Sequence, residues 1–190
     1  FRMALASSPR PGPTSFVLGD FNNDKLYDVA VLSTSDDSAA VSLNDRTGVM
    51  RPAYGAVTVA PGSTSFTIGD VDSDRIPDYI VASYEDNSVS LVSGAGIGTF
   101  APVGTKISIS KAGPTDVAFV DLTNDRIGDL AVVGGKSNRL YTFKGNGKGS
   151  FVPLGAPVAL RGSPESIAVA SLNADTRPDL LVTNSDDDTV

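Results

Sequence analysis

A nine-residue acidic segment occurs four times in this chain of 190 residues, at intervals of 50 or 51 residues. The copies read DFNNDKLYD, DVDSDRIPD, DLTNDRIGD and SLNADTRPD, and they begin at Asp20, Asp70, Asp121 and Ser171. We refer to these segments as loops one to four. Because a fixed period of roughly 20 to 50 residues is the sequence signature of repeat architectures, we expect the fold to consist of copies of one unit.

Short apolar segments recur in phase with these loops. Loop two is preceded by SFTIG and followed by YIVAS, and a third segment, SVSLV, comes later in the same repeat. A glycine-rich turn, GAGIGTF at 94–100 or GNGKGSF at 145–151, then leads to a fourth segment. Val, Ile, Leu and Phe separated by Gly, Asp, Asn and Pro are typical of strands and turns, and no window shows sustained helical periodicity. The sequence therefore predicts an all-β chain of four-stranded antiparallel repeats, each about 50 residues long, with little or no helix.

Four strands in a repeat of this length are typical of a β-propeller blade, which buries its faces by stacking on neighbouring blades. A β-sandwich is the competing all-β architecture, but it does not require the same loop in every repeat. We place three repeats and one partial repeat at residues 13–63, 64–113, 114–163 and 164–190.

Residues 1–12 are interpreted as the last strand of a preceding blade, because Phe1 aligns with Phe100 and Phe151 after the glycine-rich turn. The chain would then begin and end inside a blade. Two arrangements follow: the chain is part of a longer array, or its first strand completes the last blade, within one molecule or between neighbours.

Composition excludes several classes of function. The chain has no His and no Cys, which excludes Ser-His-Asp and Cys-His catalysis, ordinary zinc sites and disulfides. Its formal net charge of −7 makes a nucleic-acid backbone an unfavourable partner. No apolar run approaches the roughly 18 residues that a membrane-spanning helix needs.

The carboxylates of the loops are crowded enough to require an explanation. Loop two has Asp70, Asp72, Asp74 and Asp78 at positions 1, 3, 5 and 9. Two carboxylates about 4 Å apart repel each other by about 4 kcal/mol at the effective dielectric of a protein surface. Either these acids are turn residues that cap backbone N–H groups, or a cation lies among them. Ca²⁺ accepts about six to eight oxygen ligands in flexible geometry, so these side chains suit it.

The segment GDFNNDKLYDVAVLS, together with GNGKGSF, resembles the FG-GAP/VCBS repeats of integrin α-subunit-type propellers and of many secreted bacterial and fungal proteins. This resemblance implies that each loop joins the first two strands of a blade and binds one Ca²⁺ through side chains 1, 3, 5 and 9 and carbonyl 7. It implies about three sites, formed by Asp20, Asn22, Asp24, Leu26 and Asp28; by Asp70, Asp72, Asp74, Ile76 and Asp78; and by Asp121, Thr123, Asp125, Ile127 and Asp129.

Loop four departs from the family pattern, because Ser171 replaces the first aspartate and only Asn173, Asp175 and Asp179 are left as ligands. We favour a turn over a fourth calcium site there. Family loops often have glycine at position 6, so the side chains in its place must point away from the ion. These side chains are Lys25, Arg75, Arg126 and Thr176.

Calcium sites of extracellular modules are typically weak, at about 10⁻⁴ to 10⁻³ M, and fill where calcium is millimolar. We therefore expect an extracellular or cell-surface protein. The expected function is a calcium-stabilised, non-catalytic adhesion, binding or assembly module. Its expected partner is a glycan or an extracellular protein, with self-association or further blades at open strand edges and with neither nucleic acid nor membrane insertion.

Two alternatives to this function remain open. One is a structural subunit of a surface fibre or filament. The other is a polysaccharide-active propeller, either a lectin or an enzyme such as a lyase or glycosidase. A sugar site would favour exposed aromatic side chains, but Trp is absent and we expect each tyrosine to pack against the fold. The tyrosines are Tyr27, Tyr54, Tyr79, Tyr84 and Tyr141.

Overall fold

The computed structural model describes residues 12–47, 49–52, 55–101, 105–186 and 188–190. The proposed strand of a preceding blade at residues 1–12 lies, apart from Gly12, outside this part of the chain. The described residues form strands and turns and no helix. Among them, accordingly, no helix is long and apolar enough to cross a membrane. The predicted all-β class is confirmed.

The strands form four antiparallel sheets, and neighbours in each sheet follow in chain order. The first sheet contains β1 (Pro13–Gly19), β2 (Asp28–Ser33), β3 (Ser38–Asn44), β4 (Met50–Pro52) and β5 (Val57–Thr58). The second contains β6 (Ser63–Gly69), β7 (Asp78–Ser83), β8 (Ser88–Val92) and β9 (Thr105–Ser108). The third contains β10 (Pro114–Val120), β11 (Asp129–Gly134), β12 (Arg139–Gly145), β13 (Phe151–Pro153) and β14 (Val158–Ala159). The fourth contains β15 (Pro164–Ala170) and β16 (Asp179–Asn184).

In the first and third blades the fourth strand has two parts, whereas the sequence indicated one. In the third blade, β13 pairs with the end of β12 and β14 pairs with its beginning. The first blade repeats this arrangement with β4 and β5 on β3. Proline ends both β4 and β13, and it cannot donate a backbone hydrogen bond to the ladder. The outer edge of these two blades is therefore interrupted.

The hydrophobic core lies between the sheets. Tyr79 and Val81 of β7 pack in a cluster with residues of the first blade, whereas Ile80 packs in a second cluster with residues of the third blade. Successive side chains of a strand point to opposite faces, and all three of these side chains are fully buried. The second sheet is thus covered on both faces, as in a stack of propeller blades.

Two glycines leave the space that the ring of Phe119 occupies at the interface of the second and third blades. A Cβ atom at Gly69, the last residue of β6, would lie 2.0 Å from Cδ1 of Phe119. A Cβ atom at Gly128 would lie 1.9 Å from Cζ of the same ring. At the equivalent position of the first blade, a Cβ atom at Gly19 would lie 2.8 Å from Cδ1 of Ile68. At Gly69 and Gly19 the neighbouring blade therefore leaves no room for a Cβ atom.

The outer face of the first blade is exposed among the described residues. Phe16 is 69% exposed, whereas Phe66, at the same position of the second blade, is 7% exposed because it packs against the first blade. Leu18, on the same face as Phe16, is 50% exposed. The first blade thus exposes side chains at the positions through which the second blade packs against its neighbour.

Candidate metal centre

Each acidic loop connects the first strand of a blade to the second, as the resemblance implied. Loop two leaves β6 after Gly69 and enters β7 at Asp78, its ninth residue. Asp28, Asp129 and Asp179 likewise begin the second strands of the other blades. The loops therefore all lie at the same end of the blade strands.

The first aspartate of the loop fixes its conformation. Asp70 accepts the N–H group of Asp74 on Oδ1 at 3.0 Å and that of Arg75 on Oδ2 at 2.9 Å. Asp20 and Asp121 accept the equivalent N–H groups in loops one and three. Each of the three loops is thus wrapped around its first carboxylate and is not splayed into solvent.

The ninth residue joins the loop to the third strand. Asp78 is fully buried and accepts the N–H groups of Val71 at 2.8 Å and Gly94 at 2.9 Å. Asp28 and Asp129 accept the equivalent N–H groups, including those of Asn44 and Gly145. The residue pattern of the loop indicates capping of nearby N–H groups but not this bond to the third strand. One feature of the sequence could have indicated this bond: each of the three aspartates lies 16 residues before the residue that donates to it.

Three carboxylates converge in loop two. Asp70, Asp72 and Asp78 each offer one oxygen atom, and these oxygens lie within 4.8 Å of one another. Asp74 stands outside this group and accepts the N–H group of Ile76 at 2.7 Å. Among the described residues, three acidic side chains converge this closely only in loop two. The residue at position 3 is Asn22 in loop one and Thr123 in loop three.

Two carboxylates of loop two, those of Asp72 and Asp78, have raised pKa values. Burial raises the pKa of Asp78 to about 6, and the charges of Asp72 and Asp74 add to this rise. Burial, followed by the charge of Asp74, also raises the pKa of Asp72. A positive charge close to these two carboxylates would lower both pKa values.

In loop one, burial is again the largest cause of the raised pKa of Asp28, and the charges of Asp24 and Asp20 contribute to it. Asn22 lies between these acids and donates a hydrogen bond to Asp24 at 3.2 Å. Loop one therefore resembles loop two in its electrostatics but has one carboxylate fewer.

Loop three differs in two respects. The Oγ1 atom of Thr123 at position 3 is buried. Lys144, on β12, places its Nζ atom 2.9 Å from Oδ2 of Asp125. The hydrogen bond from Lys144 holds the pKa of Asp125 below its usual value, and the Thr123 side chain contributes to this lowered pKa. Loop three thus has a buried hydroxyl at position 3 and a cationic side chain paired with position 5.

Positions 4 and 6 of loops one to three adopt the left-handed backbone conformation. At position 6, φ is 68° at Lys25, 72° at Arg75 and 68° at Arg126. Glycine adopts this region at no steric penalty, which explains its frequency at this position in family loops. The three basic side chains are exposed. The other three residues in this conformation are Asn23, Ser73 and Asn124.

Loop four, which the structure describes completely, has a different conformation. Its residues at positions 4 and 6, Ala174 and Thr176, are not in the left-handed region. Asp175 accepts the N–H group of Arg177, and Asn173 donates to Asp179 at 3.2 Å. The whole segment 171–177 is exposed. These features are those of a solvated turn.

The donor set of loops one to three fits calcium and that of loop four does not. The ligands available are carboxylate, amide, hydroxyl and carbonyl oxygens, which suit a hard cation. Leu26, Ile76 and Ile127 at position 7 are each anchored by donating an N–H group to the carboxylate at position 5. Their carbonyls thus belong to the same ordered turn.

The glycine-rich turn of one blade packs on the acidic loop of the preceding blade. Gly149 of the third blade donates its N–H group to the carbonyl of Val71 in loop two at 2.9 Å. Gly98 of the second blade donates to the carbonyl of Phe21 in loop one, also at 2.9 Å. Both glycines have φ near 75°. Two successive blades therefore form the surroundings of one loop.

The expectation that every tyrosine packs against the fold is wrong for Tyr27. Its side chain is 70% exposed, because position 8 of loop one points to solvent. Tyr79 is fully buried, Tyr84 and Tyr141 are half-buried, and Tyr54 lies outside the described residues. The apolar segments around the other tyrosines indicated packing, whereas Tyr27 lies in the loop itself.

The architecture defines this chain as a repeat protein of β-propeller blades with an ordered acidic loop in each of its first three blades. The family model for the FG-GAP-like repeat matches residues 20–81, 70–132 and 121–182. The chain therefore belongs to the FG-GAP-like repeat family. No curated protein sequence matches the chain significantly.

Solved structures with similar folds cover most of this chain at low identity. BBS1N in complex with ARL6DN is 13% identical with a TM-score of 0.66, over 90% of this chain and 50% of that one. A protein from Lactobacillus plantarum is 15% identical with a TM-score of 0.58, over 82% and 44% of the two chains. An auxiliary nutrient binding protein from Bacteroides ovatus is 14% identical with a TM-score of 0.50, over 80% and 42%. The chain spans about half the length of these structures or less, and the likeness concerns the fold alone.

Proposed function

We propose that this chain is a calcium-stabilised, non-catalytic β-propeller module that acts in adhesion, binding or assembly outside the cell. One Ca²⁺ would occupy each of loops one, two and three. The observation that carries the proposal is the convergence of Asp70, Asp72 and Asp78, whose carboxylate oxygens lie within 4.8 Å of one another. When bound, calcium supplies the missing charge and connects the first two strands of the blade.

The ions would contribute to stability by mass action. With a Kd of about 10⁻⁴ to 10⁻³ M and about 2 mM calcium, one site stabilises the folded chain by about 0.6 to 1.8 kcal/mol. Three sites together would contribute about 2 to 5 kcal/mol, which is a large share of the roughly 5 to 15 kcal/mol typical of a domain. Three ions would also bring the formal net charge from −7 to about −1.

The extracellular assignment follows from this affinity range, since such sites fill only where calcium is millimolar. A partner of the module is expected at its exposed surfaces. The face with Phe16 and Leu18 suits a further blade of a longer chain or a blade of a second copy. A glycan or an extracellular protein is proposed as the ligand by analogy with the family.

A catalytic role is disfavoured by the recurrence of the remaining acids. Asp36 accepts a hydrogen bond from the hydroxyl of Ser38 at 2.6 Å, and Asp86 accepts the equivalent bond from Ser88 at 2.6 Å. A catalytic pair would occur once in the chain, whereas these contacts repeat from blade to blade. Their role is to shape the turn between the second and third strands.

The proposal is tested by urea unfolding in EDTA, in about 2 mM calcium and in the same concentration of magnesium. We expect calcium alone to raise the free energy of unfolding by about 2 to 5 kcal/mol. Asp72→Ala, which removes the side-chain oxygens at position 3, should remove about a third of this gain, whereas Asp86→Ala, which removes the same charge outside the loops, should remove none. An unfolding midpoint that is the same in EDTA and calcium would refute the proposal.

Light scattering in calcium separates the module from the filament alternative. A module has a fixed mass over a range of protein concentrations, whereas a filament grows with concentration. Turnover on a panel of anionic polysaccharides would contradict the non-catalytic assignment.

A further inference from the structure

The three candidate calcium loops differ in the residue that precedes the backbone donor to their ninth position. In loop three this residue is Lys144, whose Nζ atom lies 2.9 Å from Oδ2 of Asp125. Lys144 immediately precedes Gly145, which donates its N–H group to Asp129 of the same loop. The residues that precede the equivalent donors, Gly94 and Asn44, are Ser93 and Leu43. Of these three equivalent positions, only that of Lys144 is charged.

The side chains at position 6 cannot produce the same difference. Each of loops one to three has one basic residue there, and each of these side chains is exposed. Their effects on a bound cation are therefore similar in the three loops. Loop two has four carboxylates and loop three has three, one of which is already paired with an ammonium group.

We propose that Lys144 is the internal counter-ion of loop three and determines its calcium affinity. A Ca²⁺ ion that uses Asp125 must either displace the ammonium group or bind beside it, and both weaken binding. Loop two then fills at the lowest calcium concentration and loop three at the highest. Without calcium, Lys144 supplies part of the charge that the ion would provide, so loop three keeps its conformation more readily than loop two. This inference rests on the proposed calcium sites.

The test is a calcium titration followed by ¹⁵N–¹H NMR, which reports each loop separately. The amides of Ile76 and Gly94 report loop two, and those of Ile127 and Gly145 report loop three. The variant Lys144→Ser introduces the residue that loop two has at this position. Lys106→Ser is the matched control, because Lys106 pairs with Asp86 at 2.6 Å outside the loops and has a similar exposure, 47% against 44% for Lys144. The variant Lys144→Arg retains the charge.

We expect Lys144→Ser to lower the calcium midpoint of loop three about tenfold, that is by about 1.4 kcal/mol, and to leave loop two within about twofold. Lys106→Ser and Lys144→Arg should leave the midpoint of loop three within about twofold of its original value. The inference is overturned when loop two titrates but the calcium midpoint of loop three changes equally in Lys144→Ser and Lys106→Ser, or changes in neither variant. Absence of titration in loop two up to roughly 10 mM calcium would overturn the calcium proposal itself and this inference with it.

Discussion

The contact between Gly69 and Phe119 provides a direct test of how the blades stack. In Gly69→Ala, the new methyl group would lie 2.0, 2.4 and 2.7 Å from Cδ1, Cε1 and Cγ of the ring, whereas carbon atoms in contact prefer about 3.5 to 4.0 Å. The ring cannot slide toward its tip, because the backbone of Gly128 lies there. Gly69 does not have a positive φ, so the effect of the substitution is steric.

Overpacking of a core typically destabilises by about 1 to 3 kcal/mol, and we expect the upper half of this range for Gly69→Ala. Gly19→Ala is the matched control, since its methyl group would meet only the end of the Ile68 side chain at 2.8 Å and the edge of the Phe21 ring at 3.2 Å. Its effect should be below about 1 kcal/mol, because the Ile68 side chain can change its rotamer. Unfolding by urea in EDTA, followed by circular dichroism, measures both variants.

The double variant Gly69→Ala/Phe119→Leu adds a second criterion. Because the smaller side chain makes room for the methyl group, the two substitutions should cost at least about 1 kcal/mol less together than the sum of their separate effects. Equal destabilisation by the two alanine variants, or additivity in the double variant, would refute the packing derived from the structure.

Two further predictions concern polar contacts and backbone conformation. Asp116 accepts hydrogen bonds from Ser65 of the second blade at 2.7 Å and from Ser166 of the fourth at 2.8 Å. Asp116→Ala should therefore destabilise by about 1 to 2 kcal/mol in urea unfolding, whereas Glu165→Ala, which removes an exposed charge nearby, should have no effect; equal effects would contradict this bridging role. Arg75 has a left-handed backbone conformation with φ of 72°, and Arg75→Gly removes the steric cost of this conformation. The variant should raise the free energy of unfolding in EDTA by up to about 1 kcal/mol. A loss of stability in this variant would contradict the assigned conformation of loop two.

The fold was predictable because its period is explicit in the sequence. The loops recur every 50 or 51 residues, and the apolar segments around them have the length of strands. The burial of Tyr79, Ile80 and Val81 on alternate faces follows from a continuous apolar segment in a stacked sheet. Local residue types were sufficient for these conclusions.

The candidate site was predictable only in part. The alternation of polar residues indicated which side chains lie in each loop, but several properties depend on contacts between segments distant in the chain. The hydrogen bond from Gly94 to Asp78 and the ion pair between Lys144 and Asp125 are of this kind. The exposure of Tyr27 depends on the direction in which the side chain at position 8 leaves the loop, which the residue type does not indicate.

The packing of each glycine-rich turn on the loop before it means that the ion-binding unit and the folding unit have different boundaries. Loop two is formed by the second blade, but its neighbour Gly149 lies in the third. A fragment that ends at the edge of the second sheet would retain every proposed ligand of loop two and lose part of the wall around it. We expect such a fragment to bind calcium more weakly in loop two than the intact chain does in the same loop. The shortest autonomous binding unit therefore extends from one loop to the glycine-rich turn of the following blade.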